Sequence, residues 1–213
     1  MTPETASARA REICQLAPVV PVLVVHDVAH ARPLAEALVA GGLPALEVTL
    51  RTPVALDVIR EMAKVEGGVV GAGSILTPEA VTQVVAAGAK FGVSPGSTAK
   101  VLTAAEQADL PMLPGAATAS EVMALLERGY TVQKFFPAEI AGGAAAIKAI
   151  GAPIPDVSFC PTGGVSPSNA DDYLSLKNIL CVGGSWVAPQ KLVDAGDWKG
   201  IEELAREAAA LPR

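Results

Sequence analysis

The stretch that decides the fold of this chain reads Thr131-Val132-Gln133-Lys134-Phe135-Phe136-Pro137. It is short, rich in β-branched and aromatic residues and closed by a proline, and this composition predicts a strand that is largely buried. Near-continuous apolar strands that alternate with helices are typical of a parallel sheet covered by helices. The stretch therefore predicts an α/β fold with one lysine placed inside it.

Seven other apolar runs repeat this pattern along the chain. The eight predicted strands are Val19–Val25, Ala45–Leu50, Val69–Ser74, Phe91–Pro95, Pro111–Gly115, Thr131–Phe136, Ser158–Thr162 and Ile179–Gly183. The intervening and final Ala-rich stretches predict helices at Ala29–Ala40, Pro53–Lys64, Pro78–Ala87, Ser97–Ala105, Ala119–Leu126, Gly143–Ile150, Ser168–Leu174 and Trp198–Ala210. Eight strand–helix units predict a compact (β/α)8 TIM barrel, a fold of usually ~250 residues, as one domain over residues 1–213. The segment Pro3–Leu16 predicts an extra N-terminal helix that closes the bottom of the barrel.

An open doubly wound sheet is the alternative fold. It favours a GxGxxG turn after the first strand, whereas this chain has His26-Asp27-Val28-Ala29 there. The missing turn also removes the main argument for a dinucleotide cofactor.

The composition excludes several classes of partner. The chain has 213 residues, of which 51% are hydrophobic, and a net charge of −6, so neither nucleic acid nor an anionic membrane is an expected partner. No apolar run approaches the ~20 residues of a membrane helix, and the first ten residues do not resemble a signal peptide. Cys14, Cys160 and Cys181 have no CxxC or zinc spacing. Reduced thiols and a cytoplasmic location are the expectation.

Lys134 is the candidate catalytic residue. An ammonium that is buried without a partner is costly, so such a lysine tends to lose its proton. The resulting amine is a nucleophile toward carbonyl carbon, which is the first requirement of Schiff-base chemistry. The other lysines lie in predicted helices, in loops or at the opposite ends of strands.

The second strand carries a polar face. Side chains alternate across a strand, so Glu47, Thr49 and Arg51 share one side, while Leu46 and Val48 face the helices. Charges facing the helix layer would be very costly, so this polar side must face the lumen, where Lys134 and Phe136 are also expected. One alternative is an ion pair of Glu47 with Lys134 or Arg51 that only fills the barrel. Buried pairs stabilise a fold little, which argues against that alternative.

Glycine pairs end the last two predicted strands, at Thr162-Gly163-Gly164 and Gly183-Gly184-Ser185. Paired glycines let backbone N–H groups approach an anion closely, and barrels often bind phosphate after strands 7 and 8. Simple turns are the alternative. The occurrence of two pairs at these two strands favours a phosphate site.

The two histidines, His26 and His30, have a spacing that could supply half of a metal site. The sequence offers no convincing further ligands, so no metal site is predicted. Asp27 is better interpreted as a cap of the following helix.

These motifs together resemble one family. They are Leu46-Glu47-Val48-Thr49-Leu50-Arg51, Gly71-Ala72-Gly73, Ser94-Pro95-Gly96, Lys134-Phe135-Phe136-Pro137-Ala138-Glu139, Phe159-Cys160-Pro161-Thr162-Gly163-Gly164 and Gly183-Gly184-Ser185-Trp186. From about Pro18 onward, their order and spacing closely resemble the 2-dehydro-3-deoxy-phosphogluconate (KDPG) aldolase family. The resemblance implies a class I aldolase on a (β/α)8 barrel, typically a homotrimer of the Entner–Doudoroff pathway. Such an enzyme cleaves KDPG to pyruvate and glyceraldehyde 3-phosphate without a metal or organic cofactor, and related enzymes often act on 4-hydroxy-2-oxoglutarate.

The resemblance also implies roles for individual residues. Lys134 would form the Schiff base, Glu47 would be the general acid/base, and Arg51 would hold the pyruvyl carboxylate. The pyruvyl unit and the carbon next to it would be contacted by Ser74, Pro95, Phe136 and Thr162. The phosphate would be held by Gly163, Gly164, Gly184 and Ser185. The family usually has threonine at the position of Ser74, and serine keeps the hydroxyl while dropping a methyl.

Three other functions remain open at this point. An aldolase of the same family could prefer an unphosphorylated 2-keto acid such as 4-hydroxy-2-oxoglutarate. A metal-dependent barrel aldolase or decarboxylase would use His26 and His30. A phosphosugar-binding barrel without catalysis would leave Lys134 unexplained.

Overall fold

The computed structural model describes residues 1–212 and consists of parallel strands that alternate with helices. Over these residues the strands are β1 Val19–Leu23, β2 Ala45–Thr49, β3 Val69–Gly73, β4 Gly92–Val93, β5 Met112–Leu113, β6 Gly115–Ala116, β7 Val132–Phe135, β8 Ser158–Pro161 and β9 Val182–Gly184. The helices are α1 Pro3–Cys14, α2 Ala31–Ala40, α3 Ala55–Met62, α4 Pro78–Ala86, α5 Ala99–Gln107, α6 Ala119–Glu127, α7 Gly143–Gly151, α8 Ala170–Leu174, α9 Gln190–Ala195 and α10 Trp198–Ala209. A 3-10 turn at Val28–His30 precedes α2.

All strand pairs are parallel, in the orders β5-β4-β3-β2-β1-β9 and β6-β7-β8. Single parallel bridges join Phe159 to Ile179 and Thr162 to Gly183, next to β8 and β9. The architecture is therefore α/β, with curled parallel strands that carry most helices on their outer side and α1 against their inner side.

The fifth predicted strand, Pro111–Gly115, divides into β5 and β6 at Pro114. Proline has no N–H for the sheet ladder. The Leu113 carbonyl accepts from Ser94 N–H, whereas the Pro114 carbonyl accepts from Lys134 N–H at 2.9 Å. The chain therefore pairs with β4 before Pro114 and with β7 after it.

The helices differ from the prediction in some of their bounds and in one additional helix. The helix predicted from Ala29 begins at Ala31, because Pro33 has no N–H to donate to the Ala29 carbonyl one turn earlier. Helix α9 was not predicted, because its six residues are too few to show a clear helical period.

Threonines begin four of the helices. Thr2, Thr77, Thr98 and Thr118 each accept a hydrogen bond from a backbone N–H of the first turn. Glu121 completes a capping box with Thr118. These caps fix where each helix leaves its preceding loop.

Two apolar layers hold the fold together. The larger lies between strands and helices and contains Leu46, Val48 and Phe135. The smaller lies inside the curl of the sheet, where Ala10 and Cys14 of α1 contact side chains from the strands. All three cysteines are free and buried. Within residues 1–212, no helix has the length and apolar character needed to span a bilayer.

Candidate active site

Lys134 and Glu47 meet inside the curl of the sheet. Their side chains are 5% and 3% exposed, and the Lys134 Nζ donates to the Glu47 Oε1 at 3.4 Å. Strand β7 supplies the lysine and β2 the glutamate, from opposite parts of the sheet. Period-two alternation put both residues on the lumen side, and Gln133 and Phe135 are buried on the other face of β7. A buried amine and a buried carboxylate therefore share one small volume.

Burial perturbs the ionisation of the Glu47 carboxyl. Burial raises the pKa of the Glu47 carboxyl above that of an ordinary glutamate, although the Lys134 charge opposes this shift. A cavity of about 10 Å³ adjoins the carboxylate, and the other side chains around it are almost all apolar. They are Ala10, Ile13, Cys14, Val20, Phe91, Val93, Leu113 and Cys160. Because a water molecule there would find few polar partners, the apolar floor keeps the carboxylate desolvated.

Gly73 accommodates the Glu47 side chain. A Cβ atom on Gly73 would lie 2.1 Å from the Glu47 Oε1 and 2.7 Å from its Cγ. The carboxylate thus lies directly on the backbone of β3, and only glycine leaves it room. The Gly71-Ala72-Gly73 motif was noted from the sequence, but its reason was not. Gly71 is required in the same way by the ring of Phe91.

Phe136 lies near the amine, and Pro95 lies near the strand that pairs with β7. The Lys134 Nζ is 5.2 Å from the centroid of the Phe136 ring, so that ring forms one side of the lysine's surroundings. Pro95 lies in the loop after β4 and is partly buried. A Cβ on Gly115, which pairs with Lys134, would lie 2.3 Å from the Pro95 carbonyl oxygen. The loop after β4 is thus held close to the strand that carries the lysine.

Arg51 is at the rim of the site and bonds to Ser74. Its side chain is exposed, and its Nε donates to the Ser74 Oγ at 3.2 Å. Ser74 has a φ of 60°, a region that β-branched residues strongly disfavour. Serine therefore supplies the hydroxyl at this position with less backbone strain than threonine would have.

The polar face of β2 is anchored to its neighbour. Thr49 Oγ1 donates to the Leu23 carbonyl at 2.9 Å, and Thr52 Oγ1 donates to the Val25 carbonyl at 2.8 Å. Two buried side-chain bonds thus fix the end of β2 against β1. They hold the segment between Glu47 and Arg51 in place.

Thr162 brings a buried hydroxyl to the end of β8. Its Oγ1 has no hydrogen-bond partner among residues 1–212. A Cβ on Gly183 would lie 2.3 Å from that oxygen, so Gly183 must be glycine for Thr162 to fit. A buried hydroxyl without a partner is costly, and a polar group of a bound molecule would satisfy it.

The two glycine pairs lie in adjacent loops. Gly163 and Gly164 have φ values of 100° and 81°, which residues other than glycine rarely adopt. Gly184 is buried against Trp186, whose ring atom would lie 1.9 Å from a Cβ added there. Ser185 follows it and is exposed. Positive φ values therefore explain Gly163 and Gly164, and the contact with Trp186 explains Gly184. The bridge between Thr162 and Gly183 places the two turns side by side.

One of the two histidines, His30, packs against an aromatic ring. The His30 ring contacts the Trp198 ring edge-on at a centroid distance of 5.6 Å. Asp27 accepts from the Ala29 N–H at 2.8 Å, which confirms its prediction as a cap, here of the 3-10 turn. Packing therefore accounts for His30, and capping accounts for Asp27.

Two residues that contact the loop after β8 were not singled out from the sequence. Asn169 bonds to the Gly164 carbonyl at 3.1 Å, and the Glu139 side chain contacts Gly164. Glu139 belongs to the lysine motif, but nothing in its local pattern gave it a role. Asn169 follows the glycine pair by five residues in a serine-rich turn, which was the one available signal.

Known proteins share this architecture and sequence. The aldolase family model described as KDPG and KHG aldolase matches residues 10–204. The 2-dehydro-3-deoxy-phosphogluconate aldolase of Pseudoalteromonas atlantica is 52% identical over 202 residues, which cover 94% of each chain.

Two solved structures are also similar. The Zymomonas mobilis 2-keto-3-deoxy-6-phosphogluconate aldolase with 3-phosphoglycerate has a TM-score of 0.92 and 49% identity, over 97% of this chain and 98% of that one. The Legionella pneumophila KDPG aldolase, with pyruvate captured at low pH as a covalent carbinolamine intermediate, has a TM-score of 0.91 and 44% identity, over 94% and 98%. This chain therefore belongs to the KDPG and KHG aldolase family.

Proposed function

We propose that this chain is a metal-independent class I aldolase that reversibly cleaves KDPG to pyruvate and glyceraldehyde 3-phosphate through a Schiff base on Lys134. The observation that carries the proposal is the contact of 3.4 Å between a buried lysine amine and a buried carboxylate. Pyruvate is bound as a carbinolamine in the Legionella relative, and 3-phosphoglycerate is present in the Zymomonas relative. Pyruvate is one product of the proposed reaction. The other ligand, 3-phosphoglycerate, resembles the second product, glyceraldehyde 3-phosphate.

The first half of the reaction forms the imine. The neutral amine of Lys134 attacks the keto carbon of the substrate, and the carbonyl oxygen takes up a proton to give a carbinolamine. Loss of that oxygen as water leaves a protonated imine. Glu47 is placed to deliver and remove these protons, directly or through one water. Its raised pKa suits this role, because the carboxyl can then hold a proton at higher pH.

The second half breaks the carbon–carbon bond. Glu47 as carboxylate removes the proton of the C4 hydroxyl, the C3–C4 bonding electrons move toward the imine, and an aldehyde leaves. The remaining enamine takes a proton at C3, and water then releases pyruvate and the free lysine. The positively charged imine is the electron sink, so no bare carbanion forms.

The remaining site residues are proposed to bind the substrate. Arg51, oriented by Ser74, would hold the carboxylate, because a guanidinium forms two parallel hydrogen bonds with it. Phe136 and Pro95 would form apolar sides around the pyruvyl unit. The buried hydroxyl of Thr162 would contact the substrate near the aldehyde carbon. The phosphate would be bound by the turns that contain Gly163, Gly164, Gly184 and Ser185.

We also propose that the two sheets form one closed (β/α)8 barrel, with residues 1–213 as one domain and α1 closing its bottom. The bridges Phe159–Ile179 and Thr162–Gly183 on one side, and the Pro114 carbonyl bonded to β7 on the other, support closure. A homotrimer in the cytoplasm is the expected state of the family. Light scattering on a size-exclusion column would test the trimer.

A second candidate substrate is unphosphorylated 4-hydroxy-2-oxoglutarate, because the matching family model covers both KDPG and KHG aldolases. Rates of pyruvate release from the two compounds separate the candidates. A higher kcat/KM for KDPG would favour the phosphate-binding loops as part of the substrate site. Equal values would make both compounds substrates of one enzyme.

The test of the mechanism is borohydride trapping with pyruvate, followed by intact-mass measurement and peptide mapping. We expect a pyruvate-sized adduct on Lys134 in the wild-type chain and none in Lys134→Ala. Lys90→Ala is the matched control, since Lys90 is exposed and precedes β4. In this variant the adduct on Lys134 should form as in the wild type. If pyruvate binds but no adduct forms on Lys134, the chain is a metal-dependent enzyme or a binding protein instead.

A further inference from the structure

Three consecutive carbonyl groups at the end of β8 and the start of the following loop are engaged by the protein. The Thr162 carbonyl accepts from the Ala138 N–H at 2.8 Å, and the Gly163 carbonyl accepts from the Glu139 N–H at 3.0 Å. The Gly164 carbonyl accepts from the Asn169 Nδ2 at 3.1 Å. Three consecutive carbonyls are thus fixed by three different donors.

Fixing a carbonyl also fixes the following N–H. A peptide unit is planar and trans, so its carbonyl and its N–H point in opposite directions. The bond to Ala138 therefore orients the N–H of Gly163, and the bond to Glu139 orients that of Gly164. By the same geometry, Asn169 orients the N–H of Val165.

Two of these three donors are backbone groups, but the third is a side chain. Asn169 also accepts from the Ser166 N–H at 2.8 Å and from the Ser166 Oγ at 3.3 Å. Its side chain makes no capping bond to the short helix α8 that it precedes. Both ends of its amide are therefore used to hold the loop.

The other side of the loop is packed. A Cβ on Gly164 would lie 2.6 Å from the Glu139 Cγ, so the Glu139 side chain contacts the loop backbone. The Tyr173 hydroxyl donates in turn to the Glu139 carboxylate. The loop is therefore confined by the packing of Glu139 and by the hydrogen bonds of Asn169.

We infer that Asn169 is a positioning residue for the phosphate-binding loop and that it sets the preference of this enzyme for phosphorylated 2-keto acids. It acts through the Gly164–Val165 peptide unit, whose carbonyl it binds, so that the Val165 N–H is held beside the turn of Gly163 and Gly164 as a further donor to the phosphate. The inference rests on the proposed function, because it requires the Gly163-Gly164 turn to bind the phosphate of the substrate.

The test compares KM for KDPG and for 4-hydroxy-2-oxoglutarate in Asn169→Ala and Asn169→Asp. Loss of the bond to Gly164 should raise KM for KDPG about tenfold and leave the values for the unphosphorylated compound nearly unchanged. The inhibition constant of inorganic phosphate should rise in parallel. Asp has the shape of Asn, so Asn169→Asp preserves packing but cannot donate to the Gly164 carbonyl, and it adds negative charge. Its effect on KDPG should be larger.

Ser175→Ala is the matched control, because it removes a side-chain bond to the Asp172 carbonyl at the other end of α8. Both of its KM values should match those of the wild type. If the wild type prefers KDPG and both Asn169 variants keep that preference, the inference fails while the proposed function stands. Equal losses with both compounds would show a merely structural role and would also refute it. If the wild type neither prefers KDPG nor binds inorganic phosphate, the phosphate site fails and the inference fails with it.

Discussion

Replacement of Gly73 by alanine tests how closely the position of Glu47 controls the reaction. The new Cβ would lie 2.1 Å from the Glu47 Oε1, whereas an ordinary contact begins at 3.4 Å, so the carboxylate must move by about 1.3 Å. The backbone itself tolerates alanine, because Gly73 does not have a positive φ. The variant therefore changes the position of a proton-transfer group without changing its chemistry.

The expected effect is large for activity and moderate for stability. A misplacement of about 1 Å at a reacting group can cost roughly 100-fold, so we expect kcat/KM for KDPG to fall by about that factor. Overpacking of this kind costs on the order of 1–3 kcal/mol of unfolding free energy. Gly68→Ala is the control at the other end of the same strand, where the Cβ lies 3.4 Å from the Val65 carbonyl oxygen. It should be nearly as active as the wild type.

Pyruvate release measures the rate, and thermal unfolding reports the fold. A double-mutant cycle with Glu47→Gln tests whether Gly73→Ala acts through Glu47. Once the carboxylate has been replaced, Gly73→Ala should cause little further loss of kcat/KM. Wild-type kinetics in folded Gly73→Ala would refute the steric argument. A full additional loss in the Glu47→Gln background would show that Gly73 does not act through Glu47.

Three further predictions concern the same site. Burial raises the pKa of Glu47, so the acid limb of the kcat/KM profile should lie above the pH expected for an ordinary glutamate, and Glu47→Gln should keep the fold but lose that limb and most of the activity. Ser74→Ala removes the acceptor for Arg51 Nε, so KM should rise several-fold with little change in kcat or melting temperature; a normal KM would contradict the role of Ser74. Joint replacement Lys134→Met and Glu47→Leu should abolish activity yet leave stability unchanged or raise it by about 1–4 kcal/mol, measured by urea unfolding, whereas marked destabilisation would mean that the pair is structural.

The position of the strands could be predicted because their residues carry a local signal. Val19–Val25 is apolar over its whole length, Ala45–Leu50 alternates apolar and polar residues from Leu46 onward, and both contain observed strands. The same period of two correctly placed Glu47 and Lys134 on one side of the sheet. Such predictions depend only on neighbours along the chain, which a single sequence shows directly.

Contacts between distant segments could not be predicted in this way. The need for glycine at position 73 arises because the Glu47 side chain crosses onto β3, and this depends on the curl of the sheet. The hydrogen bond of Asn169 depends on the left-handed conformation of Gly164, which a glycine permits but does not specify. Arg51 was placed with the polar face of β2, but its partner, Ser74, follows from the turn at the end of β3.

The burial of Lys134 and Glu47 links the stability of the fold to its chemistry. Removing two charges from water costs several kcal/mol each, and their attraction recovers this only partly, so apolar residues would stabilise the same volume at least as well. The pair also requires glycine at position 73 and an apolar floor beneath the carboxylate. Both features hold one carboxyl group close to one amine in a desolvated site, where proton transfer to and from an imine is favoured. The arrangement is thus better explained by the proposed reaction than by the stability of the fold.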